Sequence, residues 1–325
     1  MNRSVENDIL PFLSQSLKTI LLKIDGEKLH NLEEIRLRAA KPLMVFYSHS
    51  DWFVTESGRL SADIRDSYTV VQQEILKSLE LMSENSVYAF QDEIKSGYLT
   101  LRGGHRVGLS GKVVLQEGQI RNIKDFNGLN IRVAKEITGC SGHIVRYIIK
   151  SSSDIYNTLI IGPPQCGKTT ILRDIARLLS NGDKAIDFSG QKVGIIDERS
   201  EIAACCKGVP QNNVGIRTDV MDGCPKALGM EMLLRSMSPN IIITDEIGTH
   251  GDKAAIMKVL NSGVKIIASA HGYNISELKL REELLEIIKA QVFDRYIVLS
   301  TKNGPGTLEE VADSKLTAIY GRGLE

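Results

Sequence analysis

Nine consecutive residues constrain this chain more than any others. Gly162, Pro163, Pro164, Gln165, Cys166, Gly167, Lys168, Thr169 and Thr170 read G-x-x-x-x-G-K-T. They stand between the apolar run Thr158-Leu-Ile-Ile161 and a segment, Thr169 to Leu179, whose apolar residues Ile171, Leu172, Ile175, Leu178 and Leu179 recur with a helical period. A buried strand therefore runs through this loop directly into a helix. The two glycines let the backbone curl so that successive N–H groups point inward, and the helix adds the positive end of its dipole. That is the cradle of a P-loop. Lys168 is spaced to reach the β- and γ-phosphates of ATP, and the Thr169 hydroxyl to ligate Mg²⁺.

A phosphate cradle leaves the chemistry open, and the run Ser238-Pro-Asn-Ile-Ile-Ile-Thr-Asp-Glu246 narrows it. Apolar and β-branched residues lead to two adjacent carboxylates. Asp245, at the C-terminal end of a buried strand, suits holding Mg²⁺ through water or Thr169. Glu246 follows where the alternation of a strand breaks, so it can turn toward the γ-phosphate and activate water. Two further apolar runs end in polar clusters. Val193-Gly-Ile-Ile196 enters Asp197-Glu198-Arg199-Ser-Glu201, and Val264-Lys-Ile-Ile-Ala-Ser-Ala270 enters His271-Gly272. In open α/β sheets ligands bind at the carboxyl ends of strands, where all four clusters would gather. Glu198 is placed to position water and His271 to contact the γ-phosphate. The bland alternatives are an exposed acidic turn and a helix-capping histidine.

The order P-loop, IIDERSEI, LLRSMSPNIIITDEIG and ASAHG resembles the secretion ATPase superfamily, in which the four elements are called Walker A, Asp box, Walker B and His box. More closely, LEEIRLRAAKPL, GGHRVGLSGKVV, GPPQCGKTTILRDIARLLS, DERSEIAA and DGCPKALGMEMLLRSMSPNIIITDEIG resemble the stage III sporulation AA family of endospore-forming Firmicutes, from about Leu32 to Gly306. The resemblance implies an ATPase of the channel between mother cell and forespore. It also implies a homo-oligomeric ring, expected as a hexamer, and as partners the membrane proteins of the stage III sporulation A complex. The expected place is the cytoplasm on the mother-cell side, with peripheral attachment to the membrane through those partners. One departure concerns the middle of the P-loop, where the superfamily usually carries Thr-Gly-Ser and this chain has Pro163-Pro-Gln-Cys166. Proline lacks an N–H to donate to phosphate, but these positions chiefly shape the turn. Cys166 reads as a small loop filler in preference to a redox switch.

At 325 residues, 42% hydrophobic and 25% charged, the chain has ordinary globular composition and length for two domains. Forty basic residues balance forty acidic ones, so net charge supports neither a nucleic-acid role nor an anionic-membrane role, while local basic patches stay open. The five cysteines form no C-x-x-C pair, which suits reduced thiols. No apolar stretch approaches the ~18 to 20 residues that span a bilayer, so direct membrane insertion is not expected.

The pattern along the chain predicts a helix over Asp8 to Ile24, strands in EEIRLRA and LMVFY, a helix over Val70 to Met82, and strands in GYLTLRGG and HRVGLSGKVVL with turns at Gly103-Gly104 and Glu117-Gly118. This reads as a smaller α+β domain over 1–135. Glycines between Gly128 and Gly142 suggest a hinge into an ATPase domain over 136–325. There strand and helix alternate, predicting an α/β, RecA-like P-loop NTPase core with a mainly parallel sheet. Ile275 to Ala290 reads as helix and Phe293 to Leu299 as the last main strand.

Phosphoryl transfer favours positive charge on the γ-phosphate, and an arginine from a neighbouring subunit can be worth ~10³ to 10⁵ in rate. In secretion ATPases the N-terminal domain contributes such arginines. Arg102, Arg106, Arg121 and Arg132 lie in its strand-rich part, and Arg106 and Arg132 match best; Arg199, Arg217 and Arg235 are further candidates nearer the boxes. Two other functions share the P-loop. A nucleic-acid-associated ATPase is disfavoured by neutral charge and the lack of an aromatic-rich basic strand face. A small-molecule kinase is disfavoured by the glutamate directly after Asp245.

Overall fold

The structure, a computed structural model, describes residues 5–83, 94–95 and 97–321. The chain divides into two compact units, Met1–Lys135 and Glu136–Glu325.

The first unit is built on a seven-stranded antiparallel sheet. Its strands are β1 (Glu34–Arg38), β2 (Met44–Tyr47), β3 (Ser50–Val54), β4 (Leu60–Ser61), β5 (Tyr98–Thr100), β6 (Arg106–Gln116) and β7 (Gln119–Arg132), in the order β4-β3-β2-β1-β7-β6-β5. Strand alternation decides which side is the core. On β1, Ile35 and Leu37 are fully buried while Glu34, Arg36 and Arg38 take the other face. Helices α1 (Gln15–Leu21) and α2 (Gln72–Met82) cover the apolar face with Leu17, Leu21, Ile75 and Leu79. The continuous helix predicted over Asp8 to Ile24 is broken. Pro11 sits in a 3-10 turn, Leu10–Phe12, and Ser14 starts a new helix by accepting a hydrogen bond from the Leu17 N–H. The β6–β7 turn falls at Glu117-Gly118, with φ of 52° and 76°, the left-handed pair that a two-residue hairpin requires. Gly128 is not part of a hinge. It lies inside β7, where an added Cβ would stand 2.6 Å from the Ser110 Oγ and 3.2 Å from the Leu37 carbonyl. The stretch without helix or strand is 133–141.

The second unit is an α/β layer structure. Its main sheet has eight strands, β8 (Thr158–Gly162), β9 (Val193–Asp197), β10 (Thr218–Asp222), β11 (Ile241–Thr244), β12 (Lys265–His271), β13 (Arg295–Ser300), β14 (Thr307–Asp313) and β15 (Ala318–Gly321), in the order β10-β9-β11-β12-β8-β13-β14-β15. The first six in that order run parallel. Every residue of β8, β9 and β11 is buried, as expected for a parallel sheet with helices on both faces. One face packs against α3 (Lys168–Asn181) through Ile171, Leu172 and Ile175. The other packs against α4 (Lys226–Ser236), α5 (His250–Asn261) and α6 (Glu282–Lys289) through Met230, Leu233, Ile256, Val259, Leu284 and Ile287.

Two expectations need correction here. The strand expected over Phe293 to Leu299 is not the last, because β14 and β15 follow it antiparallel and extend the sheet. The helix expected over Ile275 to Ala290 is two pieces, Ile275–Leu278 and α6, because Arg281 adopts an extended backbone (φ −103°, ψ 121°). Parallel register brings the strand ends together. Gly162 pairs with His271, Ile196 with Thr244, and Asp197 with Asp222, so the P-loop, both acidic clusters and His271 share one end of the sheet.

Candidate nucleotide and metal site

The loop from Gly162 to Gly167 is shaped by close contacts. A Cβ on Gly162 would stand 2.4 Å from the Cys166 Sγ and 3.1 Å from the Leu299 carbonyl oxygen, so only glycine fits. Gln165 (φ 63°) and Gly167 (φ 91°) take left-handed conformations, and Gly167 caps α3. Cys166 is buried, burial pushes its thiol pKa up, and its carbonyl accepts a hydrogen bond from the Gly306 N–H at 2.8 Å. This is a packed loop filler. Pro163 is half-buried, Pro164 and Gln165 are exposed, and Thr169 and Thr170 are half-buried in the first turn of α3.

Lys168 is buried, and its Nζ donates to the Gly162 and Pro163 carbonyls, each at 2.8 Å. It also lies 3.3 Å from the His271 Nδ1. Burial lowers the lysine pKa, while Cys166, Glu246 and Asp245 work in the opposite direction. An ammonium has only protons to offer, so Nδ1 must accept and the imidazole proton sits on Nε2. Nε2 in turn stands 2.8 Å from the Glu246 Oε1. The other oxygen of Glu246 lies 2.7 Å from the Arg199 Nη1. The result is a continuous relay, Lys168–His271–Glu246–Arg199.

Glu246 reaches it through its backbone. Its φ of 46° breaks strand alternation directly after Asp245, and the Ser269 Oγ accepts its N–H at 3.0 Å. Asp245 stays behind in the interior, 2% exposed, and its Oδ2 has no hydrogen-bond partner among the described residues. Burial first, then the carboxylates of Asp197 and Glu246, push its pKa up to about 7, with Lys226 opposing. A buried carboxylate oxygen without a donor is an incomplete arrangement, one that a divalent cation would complete. No group of three or more His, Cys, Asp or Glu side chains among the described residues is arranged to hold a metal alone. Mg²⁺ would need only one or two protein oxygens there, together with phosphates.

The second acidic cluster divides its labour. Asp197 is fully buried and accepts the Glu201 and Ala203 N–H groups, each at 2.8 Å, so it folds the loop that carries its neighbours. Glu198 is in contact with the Lys226 ammonium. Lys226 is a site residue that the sequence reading missed. It occupies the first position of α4 on the face of Met230 and Leu233, a periodicity that marks it as inward-facing. Of the other arginines, Arg217 is bonded to the Ser180 carbonyl at 2.8 Å and Arg235 lies near Glu231 on the exposed side of α4, so neither joins the relay. Within the first unit, Arg106 and Arg132 are direct cross-strand partners, Arg132 also faces Glu34, and the Arg106 guanidinium lies 3.8 Å over the Tyr98 ring. Arg121 lies out toward the β6–β7 turn.

Residues 3–319 match the family model described as sporulation stage III, protein AA. The chain is 41% identical over 307 residues to stage III sporulation protein AA of Bacillus subtilis (strain 168), covering 94% of this chain and 95% of that one. Among solved structures, the pilus retraction motor PilT with bound ADP is similar at TM-score 0.55 and 15% identity, over 90% of this chain and 77% of PilT. The Legionella pneumophila ATPase DotB is similar at TM-score 0.51 and 16% identity, over 82% and 72%. At such identities the likeness is one of fold, and that fold is RecA-like. With a family match running almost end to end, the chain belongs to the sporulation stage III, protein AA family.

Proposed function

We propose that this chain hydrolyses ATP as a secretion-type motor that energises or gates the channel complex between mother cell and forespore. The observation that carries the reading is the relay from Lys168 through His271 to Glu246, which links the phosphate-binding lysine to a carboxylate beside it. Phosphate oxygens compete for the Lys168 ammonium better than its two carbonyl partners do, because a charged acceptor makes the stronger hydrogen bond. Once Lys168 turns to the phosphates, His271 Nδ1 loses its donor and the γ-phosphate becomes readable at that ring. Glu246, held by His271 and Arg199, takes the proton of the attacking water as the water oxygen bonds to phosphorus and the bond to the β-phosphate oxygen breaks. Mg²⁺ held by Asp245 and Thr169 supplies neutralisation of phosphate charge when bound.

An arginine from the first unit of a neighbouring copy, Arg106 or Arg132, completes the positive charge in this reading, which makes a ring the working form. Family membership and the RecA-like fold support a ring, and no helix among the described residues is long and apolar enough to cross a membrane. Attachment through the membrane proteins of the stage III sporulation A complex follows from the same reading. The test is phosphate release by the purified chain with Mg²⁺ and ATP, compared with Glu246→Gln, which should bind ATP and release almost none.

A further inference from the structure

Lys226 is an unusual lysine. Its residue is 9% exposed, its ammonium contacts the Glu198 carboxylate, and the pairing of Ile196 with Thr244 brings the end of β9 that carries Glu198 beside the end of β11 that carries Asp245. Lysines are almost never buried without a partner that requires them. Here the partner is an accumulation of negative charge. Asp197, Glu198 and Glu201 lie at or just after the end of β9, Asp245 and Glu246 just after β11, and three of the five are given other work. Asp197 accepts two loop N–H groups, Glu201 stands in that loop, Glu246 is held by His271 and Arg199, and Glu198 is held by Lys226. Of these five described carboxylates, Asp245 is the one with a buried oxygen that has no hydrogen-bond partner among the described residues.

The unpartnered Asp245 oxygen, with further carboxylates nearby, attracts a divalent cation whether or not nucleotide is present. Mg²⁺ is usually held by one or two carboxylates together with substrate phosphates, so a cation inside the protein that offsets this charge would leave the metal dependent on the phosphates. We infer that Lys226 is the resident counter-ion of this cluster, a positioning residue that occupies Glu198 and offsets the charge around Asp245, so that Mg²⁺ binds only together with nucleotide phosphates. The inference rests on the reading that Mg²⁺ enters beside Asp245. It assigns Lys226 no contact with substrate.

The experiment is a calorimetric titration of MgCl₂ into the full chain without nucleotide, for the native protein, Lys226→Met, Lys226→Arg and the double variant Lys226→Met/Glu198→Gln. Lys226→Met should bind Mg²⁺ about tenfold more tightly or better, the scale Coulomb attraction gives for one unit charge beside a divalent ion at the dielectric of water. Lys226→Arg should stay as weak as the native chain, and the double variant should return toward it. Lys226→Gln, which keeps a polar head over Glu198, gives the same readout if the Met variant does not fold. Mg²⁺ affinity unchanged within about twofold in the neutral variants, or raised equally by arginine, would overturn the counter-ion role. Metal-free ADP titrated into the same samples separates the two levels. Absence of nucleotide binding by the native chain defeats the ATPase reading, while the metal titration decides the role of Lys226.

Discussion

Asp245 and Glu246 are consecutive in the chain and occupy opposite environments. Asp245 is 2% exposed with one oxygen unpartnered, whereas the left-handed backbone of Glu246 swings its carboxylate out to His271 and Arg199. Two neighbouring acids thereby sit in different electrostatic environments, which is what the proposed roles of cation holder and proton acceptor require.

The buried acid has a measurable signature in stability. Its pKa of about 7 in the folded chain lies above the ~3.9 of an unfolded aspartate, so folding takes up a proton and stability falls as pH rises from about 4 to about 7. Asparagine carries no such cost. Without metal or nucleotide, the stability advantage of Asp245→Asn over the native chain should grow by about 2 to 3 kcal/mol between pH 5 and pH 8. Urea unfolding at the two pH values measures it, and an equal advantage at both would contradict the buried, unpartnered carboxylate.

His271 joins two residues without being needed to hold the phosphates. His271→Ala should lower kcat roughly tenfold to a hundredfold, below the ~10²–10⁴ that loss of the general base itself costs. ADP affinity should change little, because ADP carries no γ-phosphate for His271 to contact. Comparison of kcat with the ADP dissociation constant decides it. If ADP affinity fell as far as kcat, His271 would be part of the cradle and the relay would be wrong.

The cradle itself should fail at one atom. Gly162→Ala puts a methyl group 2.4 Å from the Cys166 Sγ and 3.1 Å from a backbone oxygen of Leu299, so the loop must move. ADP binding should weaken markedly. Adding Cys166→Ala relieves the sulfur contact but not the carbonyl, and should restore only part of the affinity.

Much of this was legible in the chain, and the reasons are local. Runs such as Ile241-Ile-Ile243 can only be strands buried on both faces, which is why the α/β class could be read from pattern alone. The loop that leads to Lys168, the pair Asp245-Glu246 and His271 each stood at the end of an apolar run in the sequence, and parallel register puts strand ends side by side. What escaped were features that depend on partners distant in sequence. Gly128 looked like a hinge because glycine breaks patterns, yet it is required by the approach of Ser110 and Leu37 from two neighbouring strands. β14 and β15 carry mostly half-buried residues at the sheet edge and show little periodicity. The break at Arg281 lies within a stretch of good helix formers, so propensity gave no warning. Lys226 was hidden by its charge, since its spacing from Met230 and Leu233 puts it on the inward face of α4 but only the fold shows its contact with Glu198.

Completion of the site by a neighbour predicts complementation. Glu246→Gln and Arg106→Ala or Arg132→Ala should each be inactive alone, and mixing them should recover part of the turnover through interfaces that keep an intact Glu246 and an intact arginine. Specific activity should also fall on dilution. Constant specific activity down to concentrations where light scattering shows monomer would rule out the shared site.

The central claim is that this chain cleaves ATP by means of Glu246. Phosphate release in a single turnover, with enzyme in excess of Mg²⁺-ATP, tests it most directly. The native chain should release phosphate, Glu246→Gln should retain bound ATP and release it at least about a hundredfold more slowly, and Lys168→Ala should fail to bind. Equal release by the native chain and Glu246→Gln, or none from the assembled native chain, would contradict the account.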